Sequence, residues 1–168
     1  FSSTSDWTNN NSLFSVSNHV ASITAKSQYG GLLQTVKYNI GHIYYFRMDN
    51  KTSTDTPYFG FHRILGYDIF DFIRDGSNSW RTDSIIFPCP SKVDSSFGLH
   101  LSDNASSGWQ TFNCRNILLI DLTACFGFGN EPDQAWCDAN IPYFVSEMTF
   151  SFPDTTEKTT NFVDVYNA

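Results

Sequence analysis

The feature that most constrains the fold of this sequence is a succession of short runs rich in β-branched and aromatic residues, separated by polar turn clusters. The clearest run is His42–Met48 (HIYYFRM), which is dense in strand-forming residues. Further strands are predicted at His19–Lys26, Leu32–Tyr38, Tyr58–Ile64, Tyr67–Ile73, Ser84–Phe87, Phe97–Leu101, Trp109–Phe112, Asn116–Leu122 and Met148–Phe152. Runs of this length and spacing are typical of sandwiches and barrels, so the chain is predicted to be all-β.

Only one segment has the features of a helix. Asp133–Asn140 follows Pro132 and begins with a residue suited to an N-cap. Ile117–Ile120 is apolar at every position, which predicts a central strand buried on both faces. The β-sandwich is predicted to span residues 12–152, between a polar lead-in at 1–11 and a C-terminal linker or tail at 153–168.

Charge and polarity exclude two classes of partner. Ser, Thr and Asn account for 49 of the 168 residues, a polar composition typical of extracellular and virion β proteins. The net charge is −7 and the ten basic residues are scattered singly, so the positive surface that nucleic acid requires is absent from the sequence. No apolar run approaches the roughly 20 residues that cross a bilayer, so no membrane association is predicted.

The four cysteines, Cys89, Cys114, Cys125 and Cys137, contain no CxxC pair, which disfavours a zinc ribbon. Two outcomes stay open for them: one or two disulfides in an oxidising compartment, or buried thiols that act as small core residues.

No catalytic signature is present, and no catalytic residue is predicted. The sequence lacks GxSxG, HExxH, a phosphate loop and a dinucleotide fingerprint. Asp121 and Glu131 are near enough in sequence to be considered as a glycosidase carboxylate pair. Structural roles are favoured for both, with Asp121 bonding backbone at the end of a strand and Glu131 holding a turn.

Metal binding stays undetermined from the sequence. The four histidines form no local ligand pair. Asp49, Asp55 and Asp103 offer oxygen ligands of the kind calcium takes, but without EF-hand spacing, which favours solvated turn residues. No cofactor is predicted.

Two tryptophans are candidate ligand-binding residues. Trp80 and Trp109 flank polar loops, where an indole can stack on a sugar ring, and Tyr58, Tyr67 and Arg81 can add hydrogen bonds. The alternative for both tryptophans is a place in the core.

The segment Asn116–Phe144 (NILLIDLTACFGFGNEPDQAWCDANIPYF) carries the most specific pattern. It closely resembles a recurring segment of tail-fibre, receptor-binding and other structural proteins of phages and prophages from Gram-positive bacteria. The matching positions are Asp121-Leu122-Thr123, Phe126-Gly127, Gly129-Asn130-Glu131-Pro132 and Trp136-Cys137. With the upstream strand His42–Arg47 and the pair Gly108-Trp109, the chain looks like a jelly-roll related to carbohydrate-binding modules and galactose-binding-like domains.

The matched segment is predicted to act as a structural clasp. Gly127 and Gly129 allow backbone angles that other residues avoid, and Asn130 tolerates them next best. Pro132 fixes entry to the helix, and Trp136 is expected to fold back as a plug over the sandwich end. The clasp residues are Asp121, Phe126, Gly127, Gly129, Asn130, Glu131, Pro132 and Trp136.

The resemblance implies a jelly-roll β-sandwich with one short helix in its C-terminal region. It also implies an extracellular, non-enzymatic domain of a virion tail fibre or appendage, which binds a host cell-surface glycan or displays the fibre. The implied partners are that glycan, other virion proteins and further copies of the chain, a trimer being one arrangement. Two alternatives remain: a purely structural or decoration protein of a virion or filament, and the sugar-binding module of a glycan-active enzyme.

Overall fold

Two five-stranded antiparallel sheets pack face to face in the computed structural model, which describes residues 7–53, 59–61, 72–73, 75–89, 99–103, 111–141, 147–151 and 157–161. Sheet I contains, in spatial order, β2 (Ser12–Ser17), β3 (Val20–Ala25), β10 (Thr111–Asp121), β5 (Ile43–Thr52) and β8 (Arg81–Pro88). Sheet II contains β1 (Thr8–Asn10), β4 (Gly31–Gln34), β9 (Leu99–Asp103), β6 (Phe59–Phe61) and β7 (Phe72–Ile73). The predicted all-β sandwich is confirmed.

Two short helices follow β10 directly, α1 (Leu122–Phe126) and α2 (Gln134–Asn140), and a hairpin of β11 (Glu147–Ser151) and β12 (Glu157–Asn161) comes after them. The predicted helix is α2, and the Asp133 side chain caps it by accepting from the Trp136 amide at 2.8 Å. The expectation of a single helix was wrong. Asp121 ends β10 and at the same time caps α1, so the chain turns into a helix without a loop that would mark it in the sequence. Among the described residues no helix is long and apolar enough to cross a membrane.

Three strands extend further than predicted. Trp109–Phe112 and Asn116–Leu122 were expected as separate strands, but the described residues from Thr111 onward form the single strand β10, with a register shift between Arg115 and Leu118. β5 runs on to Thr52 and β8 begins at Arg81, through residues whose polarity suggested loops. These polar residues pair across the two strands, with Asn50 opposite Arg81 and Asp49 opposite Thr82. Pairing therefore overrides the local preference for a loop.

Both ends of the chain contribute strands. Thr8–Asn10, within the expected lead-in, pairs with β4 at the edge of sheet II, and Glu157–Asn161, within the expected tail, pairs with β11. Ser12–Ser17 was not recognised as a strand, yet it pairs along its whole length with β3. The described residues of the predicted strands Tyr58–Ile64 and Tyr67–Ile73 pair with each other, Gly60 opposite Ile73 and Phe61 opposite Phe72.

β10 is the middle strand of sheet I, and apolar groups bury both of its faces, as predicted. On the inner face, Ile117 and Leu119 join the core between the sheets with Leu32 and Leu101 of sheet II. On the outer face, Leu118 and Ile120 join a second cluster under the two helices. The buried members of that cluster are Tyr45, Ile120, Leu122, Cys125, Phe126, Cys137 and Ile141.

Trp136 covers the outer face of sheet I, and the expectation of a plug over the sandwich end was wrong. Its ring meets the Phe126 ring edge-on, with centroids 5.6 Å apart, and packs on the second cluster. The reason is that α2 lies along sheet I, where it contacts β8. Within the described residues, the helices thus cover one half of the outer face, and the other half extends toward Thr111 and Lys51.

Candidate functional site

Asp121 is the centre of the clasp. Its carboxylate accepts hydrogen bonds from the Ala124 amide at 2.9 Å, Asn39 Nδ2 at 3.0 Å, Tyr44 Oη at 2.9 Å and His42 Nδ1 at 2.8 Å. Burial alone would raise its pKa, but these hydrogen bonds outweigh burial and lower the pKa below its usual value.

Glu131 ties the loop after α1 back to the sheet. Its carboxylate accepts from the Thr123 hydroxyl at 2.6 Å, and Thr123 Oγ1 in turn accepts from the Ile43 amide at 2.9 Å. The hydrogen bond from Thr123 lowers the pKa of Glu131. A glycosidase acid requires a raised pKa, so neither member of the Asp121–Glu131 pair is tuned for that role.

Gly127 and Gly129 shape the loop that carries Glu131. Gly127 has φ 90° and ψ 155°, and Gly129 has φ 77°. Both angles lie where side chains are strained, so the loop depends on glycine at these positions.

The half of the outer face of sheet I that lies away from the two helices is polar. Ser22 and Asn113, paired between β3 and β10, share a hydrogen bond of 2.6 Å, and Thr24 and Thr111 share another of 2.6 Å. Lys51 of β5 is the register partner of Asn113. β5 flanks β10 on the side away from β3, so Lys51 extends the same face of the sheet. Because alternate residues of a strand share a face, Thr111, Asn113 and Arg115 lie on this surface together. We call this half of sheet I the polar face.

Trp80 lies at the β8 edge of the polar face. It directly precedes β8 and is half-buried. Its ring lies against two cations of the sheet, with Arg115 Cζ 4.2 Å and Lys51 Nζ 5.1 Å from a ring centroid. Such contacts are attractive because the indole face carries negative electrostatic potential. They hold the ring on the polar face, outside the core between the sheets.

Asp49 is the carboxylate beside Arg115. It accepts from Thr82 Oγ1 at 2.6 Å, Asn116 Nδ2 at 2.8 Å and Arg115 Nε at 3.4 Å. Donors therefore surround this carboxylate, in place of the further oxygen ligands that a calcium site would need. No group of three or more metal-ligating side chains occurs among the described residues. Asp55 and the side chain of Asp103 lie outside them.

The structure separates Arg81 from Trp80. Arg81 Nε donates to Asp83 Oδ2 at 2.8 Å, and Asn50 Nδ2 donates to the same oxygen at 2.9 Å. Arg81 pairs with Asn50, which shares the inner face with the core residue Met48, so Arg81 belongs to the side facing sheet II. Trp109, Tyr58 and Tyr67, the other candidates from the sequence, lie outside the described residues.

Sequence reasoning missed Lys51, Asn113 and Arg115 as members of this surface. A signal for two of them exists. Thr111, Asn113 and Arg115 alternate with Phe112 and Cys114, which is the pattern of a strand with one polar face.

Comparison with solved structures identifies the architecture. A family 4 carbohydrate-binding module superposes with a TM-score of 0.52 at 16% identity, covering 69% of this chain and 94% of that one. The chain has the jelly-roll fold of carbohydrate-binding modules. The fold class predicted from the sequence is thereby confirmed. The N-terminal cellulose-binding domain of a β-1,4-glucanase C from Cellulomonas fimi gives a TM-score of 0.49 at 15% identity, covering 68% of this chain and 88% of that one. No protein-family profile and no curated protein matches the sequence.

Proposed function

We propose that this chain is a non-catalytic carbohydrate-binding module, carried on a phage tail fibre or another virion appendage, that binds a glycan of the host cell surface through the polar face. The observation that carries the proposal is the Trp80 ring, held on this face beside a row of hydrogen-bonding side chains.

A sugar ring has two kinds of surface, and the polar face offers a counterpart for each. The C–H groups of a sugar pack on an aromatic ring, and its hydroxyls bond to polar side chains beside it. Trp80 supplies the ring. Asn113 and Lys51 supply polar groups in the same row.

Two further observations support parts of the proposal. A solved family 4 carbohydrate-binding module has the same jelly-roll fold, and this likeness supports sugar binding by the present chain. The virion setting rests on the resemblance of Asn116–Phe144 to segments of phage structural proteins. The fold alone does not decide function, so the named surface carries the argument.

The test is a binding assay of the purified chain on a glycan array and on host cell walls, beside Trp80→Ala and Phe128→Ala variants. Phe128 is a matched control because it is an aromatic residue that is 69% exposed and belongs to the clasp, outside the polar face. Saturable binding that Trp80→Ala abolishes and Phe128→Ala leaves intact is expected. A Trp109→Ala variant is measured as well. Binding that survives in Trp80→Ala but is lost in Trp109→Ala would contradict the assignment of the site to the polar face. No binding in any format, including a multimerised one, would overturn the proposal.

A second candidate function, a structural contact within a virion, has its own observation. Ile40 and Phe128 are 61% and 69% exposed, and they lie on two turns that meet where the Phe128 ring contacts His42 at 5.2 Å. Exposed apolar groups of this size favour a protein contact at this end of the molecule. Light scattering on the chain and on an Ile40→Thr/Phe128→Ser variant tests this contact. We expect the chain to self-associate and the double substitution to remove that association. A monomer at all concentrations in both proteins would argue against association of identical chains.

A further inference from the structure

We infer that the glycan bound at the polar face is acidic, a polysaccharide whose sugars or linkages carry carboxylate or phosphate groups. The inference rests on the proposed function and names the ligand class of the same surface.

The polar face differs in the donors and acceptors that it offers to a ligand. Sugar hydroxyls both donate and accept, so a neutral sugar needs acceptors on the protein as well as donors. Among the described residues, the side-chain oxygens of the polar face already take part in hydrogen bonds with one another or with neighbouring side chains. Asn113 Oδ1 accepts from Ser22, the Thr24 and Thr111 hydroxyls bond to each other, and the Asp49 carboxylate accepts three donors.

Two donors of the polar face, in contrast, have no side-chain acceptor among the described residues. Within the part of the chain that the structure describes, Lys51 contacts no carboxylate, and its ammonium group lies over the Trp80 ring. The Asn113 amide nitrogen keeps both of its hydrogens, because the hydrogen bond to Ser22 uses the oxygen of that side chain. These two donors fit a ligand group that only accepts, and carboxylate and phosphate oxygens are such groups.

The charge of the polar face differs from the charge of the whole chain. The chain carries a net charge of −7 with ten basic residues, yet two of them, Lys51 and Arg115, meet on one indole ring. Asp49 lies 3.4 Å from Arg115 Nε and offsets one of these charges. Lys51 therefore leaves a local positive charge on an acidic molecule.

The geometry brings these groups within reach of a single sugar unit. Asn113 and Lys51 are register partners in neighbouring strands, which places their Cβ atoms about 5 Å apart. Both Lys51 and Arg115 reach the Trp80 ring. A sugar stacked on that ring brings an acidic substituent at its rim close to Lys51 and Asn113.

The experiment compares two polymers with the same backbone, polygalacturonate and its fully methyl-esterified form, by titration calorimetry with the purified chain. A glycerol-phosphate teichoic acid is a third probe and separates phosphate from carboxylate as the recognised group. We expect one of the two acidic polymers to bind at least about tenfold more tightly than the ester, with an advantage that shrinks as salt rises from about 0.05 to about 0.5 M.

Lys51→Gln is the decisive variant and Lys37→Gln its matched control, since Lys37 is an exposed lysine in the segment between β4 and β5, outside the polar face. Lys51→Gln should weaken binding of the acidic polymer about tenfold and leave the ester unchanged, while Lys37→Gln changes neither. Equal affinity for acidic and esterified polymers, lost in Trp80→Ala but insensitive to Lys51→Gln, would overturn the acidic ligand and keep the proposed function. Absence of binding to all three polymers and to the glycan array would overturn both.

Discussion

Tyr44 and Asp121 are register partners in β5 and β10, and the Tyr44 hydroxyl donates to the Asp121 carboxylate at 2.9 Å. The same carboxylate caps α1 through the Ala124 amide. One side chain thus joins a core aromatic residue of the sandwich to the helix that covers its outer face. Burial raises the pKa of Tyr44, and the contact with Asp121 raises it further, so the phenol stays a donor at neutral pH.

Removing this side chain should destabilise the fold more than removing a simple helix cap. We expect Asp121→Ala to lower the free energy of unfolding by about 2–3 kcal/mol, because it deletes a cap and leaves the Tyr44, Asn39 and His42 donors without their acceptor. Asp133→Ala is the matched control, since Asp133 caps α2 through one bond and is exposed. It should cost about 1 kcal/mol in urea unfolding. Equal losses in the two variants would contradict a joining role for Asp121.

Acid should weaken the clasp. The hydrogen bonds around Asp121 and Glu131 lower the pKa values of both carboxyls below their ordinary values of 3.8 and 4.5. Between the pKa values of the folded and unfolded states, the unfolded chain binds more protons than the folded one. The stabilisation from these carboxylates is therefore complete above the pKa values of the unfolded chain, and it is lost as the pH falls through the lower pKa values of the folded state. Urea midpoints measured from pH 6 down to about pH 2 should fall, and a combined Asp121→Asn/Glu131→Gln variant should show a shallower fall. Parallel curves for the two proteins would contradict this assignment.

The glycine loop gives a prediction about backbone strain. Gly127 adopts φ 90° and ψ 155°, a region that only glycine enters readily, so Gly127→Ala should cost about 2–3 kcal/mol. Gly129 has φ 77°, and an added Cβ there meets no atom within 4 Å, so Gly129→Ala should cost only the smaller penalty of a positive φ, about 1 kcal/mol. Thermal unfolding of the two variants measures the difference. A larger loss at Gly129 would contradict this ranking.

The sequence predicted the strands best where burial of apolar side chains determines the residue pattern. His42–Met48 and Ile117–Ile120 are read correctly because burial fixes an apolar residue at nearly every position. The start of β8 and the end of β5 are missed because their residues are polar and are held in strands by their partners, as in Asn50 opposite Arg81. Pairing with a distant strand leaves no local trace in the residues themselves.

The residues of the candidate site also differ in how far the sequence reveals them. Trp80 was a candidate because it flanks a polar loop in the sequence, and in the structure its ring lies on the outer face of sheet I. Its neighbours Lys51 and Arg115 come from two other strands, 29 and 35 residues away along the chain, and only the order of strands in sheet I brings them together. Arg81, adjacent to Trp80 in sequence, belongs to the opposite face because successive residues of a strand alternate.

The cysteines, which the sequence left open, give the last prediction. All four are buried in the structure, and none of them forms a disulfide. Burial raises the pKa of the Cys89 and Cys114 thiols and raises that of Cys137 to about 12. Since the thiolate is the reactive form, native protein at pH 8 should not react with Ellman's reagent on mixing, and all four thiols should react after unfolding without reductant. A Ser79→Cys variant, at an exposed position, supplies a thiol that should react at once and calibrates the assay. Fewer than four reactive thiols in the unfolded chain would reveal a disulfide and contradict the structure.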